Sequence, residues 1–198
     1  MKNVTLSFEN VVRKDIPSDL FAGKVHFAVV DDSNEVLAEV KGNEVSLKDL
    51  IEDYYFNLIL KPELEYVYCD ILSKQDKVLV KDMSVNDYVE FVNNKYNIDG
   101  DDLSTFNALY EIYKNLLDYL AKNTDSDNYC FALNTICANY DGTGAGTLLI
   151  NYLKEHYNLI YLYSIMDIEG YFLDKVDFAE IINGYMYWTN EEKLKEIL

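Results

Sequence analysis

The sequence predicts an α/β (α+β) fold, a sheet flanked by helices, and three observations carry that expectation. Two β-rich runs, 25–30 and 36–41, flank the turn formers DDSNE, which is a hairpin signal. From Ser104 to Ala121, apolar residues fall at 106, 109, 110, 113, 116, 117 and 120, the spacing of an amphipathic helix with one buried face. Two apolar runs, YCFALNTICA at 129–138 and NLIYLYSI at 158–165, read as buried strands joined through glycines and a helix.

The remaining elements follow in order. VTLSFE at 4–9 alternates and predicts an edge strand. Ser46 and Asp49 form a capping box that opens a helix over 47–60, ending before Pro62. EYVYCDIL and KVLVK, 65–72 and 77–81, predict a second hairpin across SKQD. Ser84 to Tyr96 reads as a short helix opened by another Ser-x-x-Asp. NIDGDD, 97–102, is a loop without the spacing or terminal Glu of a calcium loop, and KNTDSDN is a second loop. After the glycines come a helix at 146–156, a strand at 158–165 and a helix at 167–176. Short strands over 177–188 turn at Asn183-Gly184, and Thr189 with Glu192 caps a final helix. The length fits one domain, 1–198, in which 43–127 is a mainly helical insertion.

Composition narrows the function classes. A net charge of -18 argues against direct nucleic-acid binding, which needs clustered Lys and Arg, and it permits basic partners. No apolar run reaches the roughly 18 residues of a membrane span, and the N-terminus lacks a signal-peptide core. Three cysteines without a CxxC, and two histidines, give no zinc-ligand pattern and fit a reducing, cytoplasmic setting. Abundant Asn, Lys, Ile and Tyr with two prolines suggest an AT-rich source such as a virus or low-GC bacterium. Cys130, Cys137 and the aromatic set Tyr185, Tyr187 and Trp188 read as core, His26 as a solvent-facing strand residue, and His156 as a helix-end cap.

The segment ICANYDGTGAGTLLINYLKEHY, 136–157, holds three of the eight glycines. Glycine allows positive φ and removes the Cβ that blocks close approach. Glycines leading into a helix leave backbone N–H groups in one concavity, and the helix start adds about half a positive charge. That combination is an anion site suited to phosphate or pyrophosphate. The segment lacks the P-loop lysine and the GxGxxG spacing of a dinucleotide fold.

These residues resemble the acetyl-CoA motif of the GNAT superfamily of N-acetyltransferases. There an apolar strand leads through Tyr-Arg-Gly-x-Gly-Ile-Gly into an apolar helix. Here Ile136, Tyr140, Asp141 in the arginine's place, Gly142, Gly144, Ala145 and Gly146 match in order, with Leu148, Leu149 and Leu153 continuing the helix. FLDKVDF, 172–178, resembles the FYEKLGF signature that follows in the family, and the hairpin at 25–41 resembles its second and third strands.

The resemblance implies a mixed, mostly antiparallel twisted sheet flanked by helices, with the helical insertion before a CoA-binding core at 128–188. It implies acetyl-CoA (or CoA) with pantetheine on the strand edge at Ile136, Cys137 and Ala138. Pyrophosphate would sit on the backbone of Gly142, Thr143, Gly144, Ala145, Gly146 and Thr147, with Asp141 at the mouth. It further implies acetyl transfer to an amine of a protein, peptide or small molecule by direct attack on the thioester. That chemistry needs a base and an acid. Tyr171 is the candidate acid, and Asn134, with Thr135, is placed to hold a water. Three departures stand out: Asp141 replaces the usual Arg, Leu173 occupies the place of the FYEK tyrosine, and the link at 43–127 is longer than usual while the helices expected before the hairpin are short or absent. They keep open an alternative, a catalytically inactive GNAT-like acidic binding protein such as a viral inhibitor of a host protein.

Overall fold

The computed structural model describes residues 6–19, 23–96, 101–123, 129–139, 142–164 and 169–198. Of the loops expected at 97–102 and 122–128, residues 97–100 and 124–128 lie outside these residues, as do Tyr140 and Asp141, while Asp101, Asp102 and Lys122 belong to a helix. Two units are present, one of residues 1–50 with 123–198 and the other of residues 51–122.

The first unit holds the strands β1 (Val11–Asp19), β2 (Gly23–Val30), β3 (Val36–Ser46), β4 (Tyr129–Ala138), β5 (Leu159–Tyr163), β6 (Ala179–Ile182) and β7 (Tyr185–Thr189). They form one sheet in the order β1-β2-β3-β4-β5-β7-β6. Every neighbouring pair is antiparallel except β4 and β5, which run parallel. A parallel pair needs a crossover, and the helix α6 (Ala145–His156) lies in the connection. The architecture is therefore the mixed, mostly antiparallel sheet with flanking helices that was expected.

Local chemistry accounts for the turns. Between β2 and β3, Asp31 Oδ1 accepts from the backbone N–H of Ser33 at 2.8 Å and of Glu35 at 2.9 Å, while Asn34 takes φ 62°. That is an Asx-type turn made by a short acceptor side chain. Between β6 and β7, Asn183 and Gly184 both have positive φ, 47° and 82°, as the two-residue turn of an Asn-Gly hairpin requires.

One face of the sheet carries the core. Val25, Phe27 and Val29 of β2, Ala38 and Val40 of β3, and Phe131 and Leu133 of β4 are buried there with Leu149, Ile150 and Leu153 of α6. Phe172 and Val176 of α7 (Glu169–Val176) complete it. Fully burying each such side chain contributes about 1.5–3 kcal/mol. The helix α8 (Glu192–Ile197) closes the chain.

Two glycines let the backbones approach at the centre of the sheet. A Cβ on Gly42 would lie 2.4 Å from the Ala132 carbonyl oxygen and 2.6 Å from the Phe131 ring, and one on Gly23 would lie 2.3 Å from the Gly42 oxygen. Beside Gly42 the β3–β4 register slips: Lys41 pairs with Thr135, but Gly42 pairs with Leu133. Asn134 is thus the extra residue of a β-bulge.

In the second unit, the helix α1 (Leu47–Asp49), opened at the end of the first, continues into π-helical Leu50–Leu60, then α2 (Lys61–Tyr66) and π-helical Val67–Ile71. The helices α3 (Lys74–Leu79), α4 (Val85–Tyr96) and α5 (Asp101–Lys122) follow. Tyr55 donates to the Leu109 carbonyl at 2.9 Å. Asp76 is 2 % exposed and accepts from Lys95 Nζ, Tyr96 Oη and Ser73 Oγ, which hold its carboxyl down to about 2.

The structure corrects several expectations. Residues 8–10 form a 3-10 turn in place of the end of a strand at 4–9, because Asn10 Oδ1 accepts from the Ser7 N–H at 2.9 Å; residues 1–5 lie outside the description. The edge strand starts at Val11. The helix opened by Ser46 does form, with Ser46 Oγ accepting from the Asp49 N–H, but it runs through Pro62, which sits in the first turn of α2. Proline is tolerated there, and the wider π-helical turns precede it. The hairpin expected over 65–81 is helical. Its alternation puts Val67 and Leu72 inside, while Tyr66 and Tyr68 are exposed. The SKQD segment is a helix start, with Ser73 Oγ accepting from the Asp76 N–H at 3.2 Å. At the C-terminus the cap is Glu191, not Thr189, whose Oγ1 donates to the Asn158 carbonyl at 2.7 Å.

Two outcomes follow. Gly42→Ala forces a methyl onto backbone and should cost about 1–3 kcal/mol, the usual range for overpacking; an unchanged urea midpoint would show that the sheet yields freely. Asp76 has a depressed folded-state pKa, so its stabilisation is present above about 4, its unfolded value, and is lost as the pH falls toward about 2. Circular-dichroism melts over that window should show a steeper loss for wild type than for Asp76→Asn.

Candidate functional site

β4 changes character at its midpoint. Its pairing with β5 covers Cys130, Phe131, Ala132 and Leu133, which face Leu159 to Leu162, and stops there. The four paired residues are at most 7 % exposed. Beyond them Asn134, Thr135, Cys137 and Ala138 are exposed, with Ile136 half-buried against the core. On its other side β4 stays paired with β3 as far as Ala138, opposite Ala38. Asn139 extends that attachment: its N–H donates to Leu37 O at 2.9 Å and its Nδ2 to Val36 O at 2.8 Å. A central strand thus has one bonded edge and one edge without a strand partner among the described residues, a row of N–H and C=O groups able to take an extended ligand.

The exposed half of β4 leads to the glycines. Gly142 and Gly144 both have φ +75°, and a Cβ on either would meet nothing within 4 Å. Gly144 is the N-cap of α6, supplies no side chain to cap it, and accepts from Leu148 N at 2.9 Å. Thr143 Oγ1 accepts from the Ala145 N–H at 3.4 Å. A glycine-built helix start with open space around it has the geometry and polarity of an anion site. Ala145 is buried and seats the first turn on the core.

Tyr171 arrives at the same turn. Its hydroxyl lies 3.2 Å from Thr147 Oγ1 and 3.6 Å from where a Gly146 Cβ would stand. Burial raises the phenol pKa and the Thr147 hydrogen bond offsets part of that, so the group stays protonated at neutral pH. The ring packs edge-on to Phe172, with centroids 5.3 Å apart. Leu173 points away and is 39 % exposed. At the end of α7, Asp177 takes φ 52° and Phe178 N donates to Phe172 O at 2.9 Å, a left-handed helix stop at the position of the glycine in FYEKLGF.

Of the residues singled out from sequence, the structure brings Gly142, Thr143, Gly144, Ala145, Gly146, Thr147 and Tyr171 to one helix start. It puts Asn134, Ile136, Cys137 and Ala138 on the open edge that feeds it. Asn134 occupies the bulge, and among the described residues no hydrogen bond joins it to Tyr171. Asp141 lies outside the described residues.

Two readings are corrected. Cys137 is exposed, not core, because β4 has lost β5 before reaching it; Cys130, within the paired half, is buried, and burial pushes its thiol up to about 12. His26 is not solvent-facing: its side chain is 16 % exposed and its Nε2 lies 3.0 Å from Glu39 Oε2. His156 caps α6 as expected, with Nδ1 2.7 Å from the Tyr152 carbonyl. Trp188 packs against the core and takes Lys154 Nζ over its ring at 4.7 Å. The sequence signal for Thr147 beside Tyr171 was absent, since 24 residues separate them.

Among the described residues no His, Cys, Asp and Glu grouping suits a metal ion, and no helix is long and apolar enough to cross a membrane. No family model, curated protein or solved structure matches this chain, so its own residues carry the functional reading.

The exposure pattern gives a direct check. A maleimide should label Cys69 and Cys137 in the native protein and reach Cys130 only after unfolding. Mass spectrometry of the labelled peptides reads this out, and a protected Cys137 would contradict the open edge.

Proposed function

We propose that this chain is a divergent GNAT-like N-acetyltransferase that takes acetyl-CoA and an amine. The single observation that carries the reading is the end of β4–β5 pairing at Leu133, directly upstream of a glycine-built helix start that also meets a tyrosine hydroxyl. The residues fit such a ligand. Gly142 and Gly144 leave a cradle that side chains would fill, and the N–H groups from Gly142 to Thr147 suit a pyrophosphate. The edge at Ile136, Cys137 and Ala138 suits the amide-bearing pantetheine arm. When bound, the ligand supplies an acetyl thioester.

The chain's own part is to orient and to handle protons. The open edge of β4 aligns the arm, and backbone donors near the bulge polarise the carbonyl. Tyr171 holds a proton at Oη for the sulfur that leaves. The setting proposed is cytoplasmic, and the acidic surface favours a basic acceptor such as a polyamine or basic peptide. Leu173, exposed and without a hydroxyl, favours a second reading, a GNAT-like binding protein without transfer activity.

Calorimetric titration with acetyl-CoA tests the reading. Binding is expected, with protection of Cys137 but not Cys69 from maleimide; no heat at millimolar ligand would remove it. Binding without transfer to any amine in a broad panel would select the second reading. Gly144→Glu puts a carboxylate in the cradle and should abolish binding. It meets no neighbour and costs about 1 kcal/mol of left-handed strain, so the melting temperature should fall by only a few degrees.

A further inference from the structure

The acetyl-transfer reading leaves the amine's proton without a destination, and the far face of the sheet holds one. Cross-strand partners project to the same side of a sheet. Val25, Phe27, Val29, Ala38 and Val40 point into the core under α6, so His26, Glu39 and Lys41 point to the opposite side. Across that far face His26 is paired with Lys41 and Lys41 with Thr135, while Glu39 is paired with Cys137. Thr135 and Cys137 are the exposed residues of the unpaired half of β4. The Glu39 carboxylate therefore stands one strand from the open edge, about 5 Å from Cys137 between β-carbons.

Glu39 is held there. Its Oε2 lies 3.0 Å from His26 Nε2 and its Oε1 3.6 Å from Lys41 Nζ. Among the described residues, the charged or titratable neighbours that the strand register gives this pair are Lys41 on β3 and Cys137 on β4, and His26 has Lys14 as its register partner on β1. The side chain of Glu39 is 32 % exposed, whereas that of His26 is 16 % exposed. His26 Nε2 is buried and makes no hydrogen bond among the described residues, so its 3.0 Å approach to Glu39 Oε2 is a charge contact. A carboxylate in contact with an imidazole, on the strand paired with the open edge, is a candidate general base.

We propose that Glu39 accepts the proton of the acceptor amine, with His26 as the residue that positions it, and that the amine enters over the far face of β3 and β4. This rests on the acetyl-CoA reading. An ammonium gives one proton to Glu39, which passes it directly to solvent. The nitrogen lone pair forms the C–N bond to the acetyl carbon as the C–S bond breaks. The sulfur leaves with the electron pair and takes the proton of Tyr171, which recovers one from solvent. The nitrogen loses its second proton to Glu39, which releases it to solvent and is regenerated as the carboxylate. The balance is one ammonium and one thioester converted to one amide, one thiol and one released proton.

The chain has only two histidines, His26 and His156, so ring-selective NMR gives a probe and an internal control. In protein saturated with CoA, spermidine should shift the His26 signals and leave those of His156 unmoved. Glu39→Gln should remove that response and lower spermidine-dependent thiol release from acetyl-CoA about a hundredfold, with CoA affinity from calorimetry and the melting temperature unchanged. His26→Gln should move the pH profile of the rate without moving CoA affinity. Absence of CoA binding would sink the acetyltransferase reading itself. With CoA bound, an unmoved His26, or a Glu39→Gln variant at wild-type rate, overturns this inference alone. If the wild type releases no thiol, the histidine spectrum decides by itself.

Discussion

The parallel pairing of β4 with β5 ends after four residue pairs, and the rest of the site depends on that ending. A central strand ordinarily satisfies both edges, since a buried unpaired backbone group costs about as much as a lost hydrogen bond. β4 meets that demand in its first half by burial between β3 and β5. In its second half it stays attached to β3, while its side chains turn from buried to exposed. The free edge is tolerable because it faces solvent. It is useful because it runs straight into the glycines.

Three features hold this arrangement open. Asn139 ties the exit of β4 to the start of β3 through two hydrogen bonds. The bulge at Asn134 shifts register so that Leu133 and Ile136 both serve the core, while Thr135 and Cys137 face outward. Gly42 makes room for that bulge, because the space its side chain would take belongs to the Ala132 carbonyl and the Phe131 ring. On the other side of the cleft, α6 is anchored by Leu149, Ile150 and Leu153, all fully buried.

What was legible in the sequence was local. The DDSNE turn, the Asn183-Gly184 turn and the Ser-x-x-Asp starts at Ser46 and Ser84 all use atoms within a few residues, and all formed. The glycines announced a helix start for the same reason. The stretch at 65–81 misled because apolar residues a few places apart suit either a strand or one helix face, and Asp76 settles the matter through Lys95 and Tyr96, far along the chain. Cys137 was misread because its exposure follows from where another strand stops. Glu39 with His26, and Thr147 with Tyr171, are products of register and of helix placement, which no single segment encodes.

Charge sets the last constraint. The chain carries a net charge of -18, yet the ligand proposed for it is itself a polyanion. Lysines are not what would hold it: no basic residue occurs between Lys122 and Lys154. Binding would have to come from oriented backbone N–H groups and the positive end of α6, which act over a few ångströms. The repulsion of distant carboxylates is screened beyond roughly 8–10 Å in physiological salt. A short-range site of this kind can coexist with an acidic surface that draws a cationic acceptor from afar. On the proposed reading the two substrates would reach opposite faces of the same strand, the anion at the glycines below α6 and the amine over Glu39. The sheet would separate their charges until the reacting atoms met at the open edge of β4.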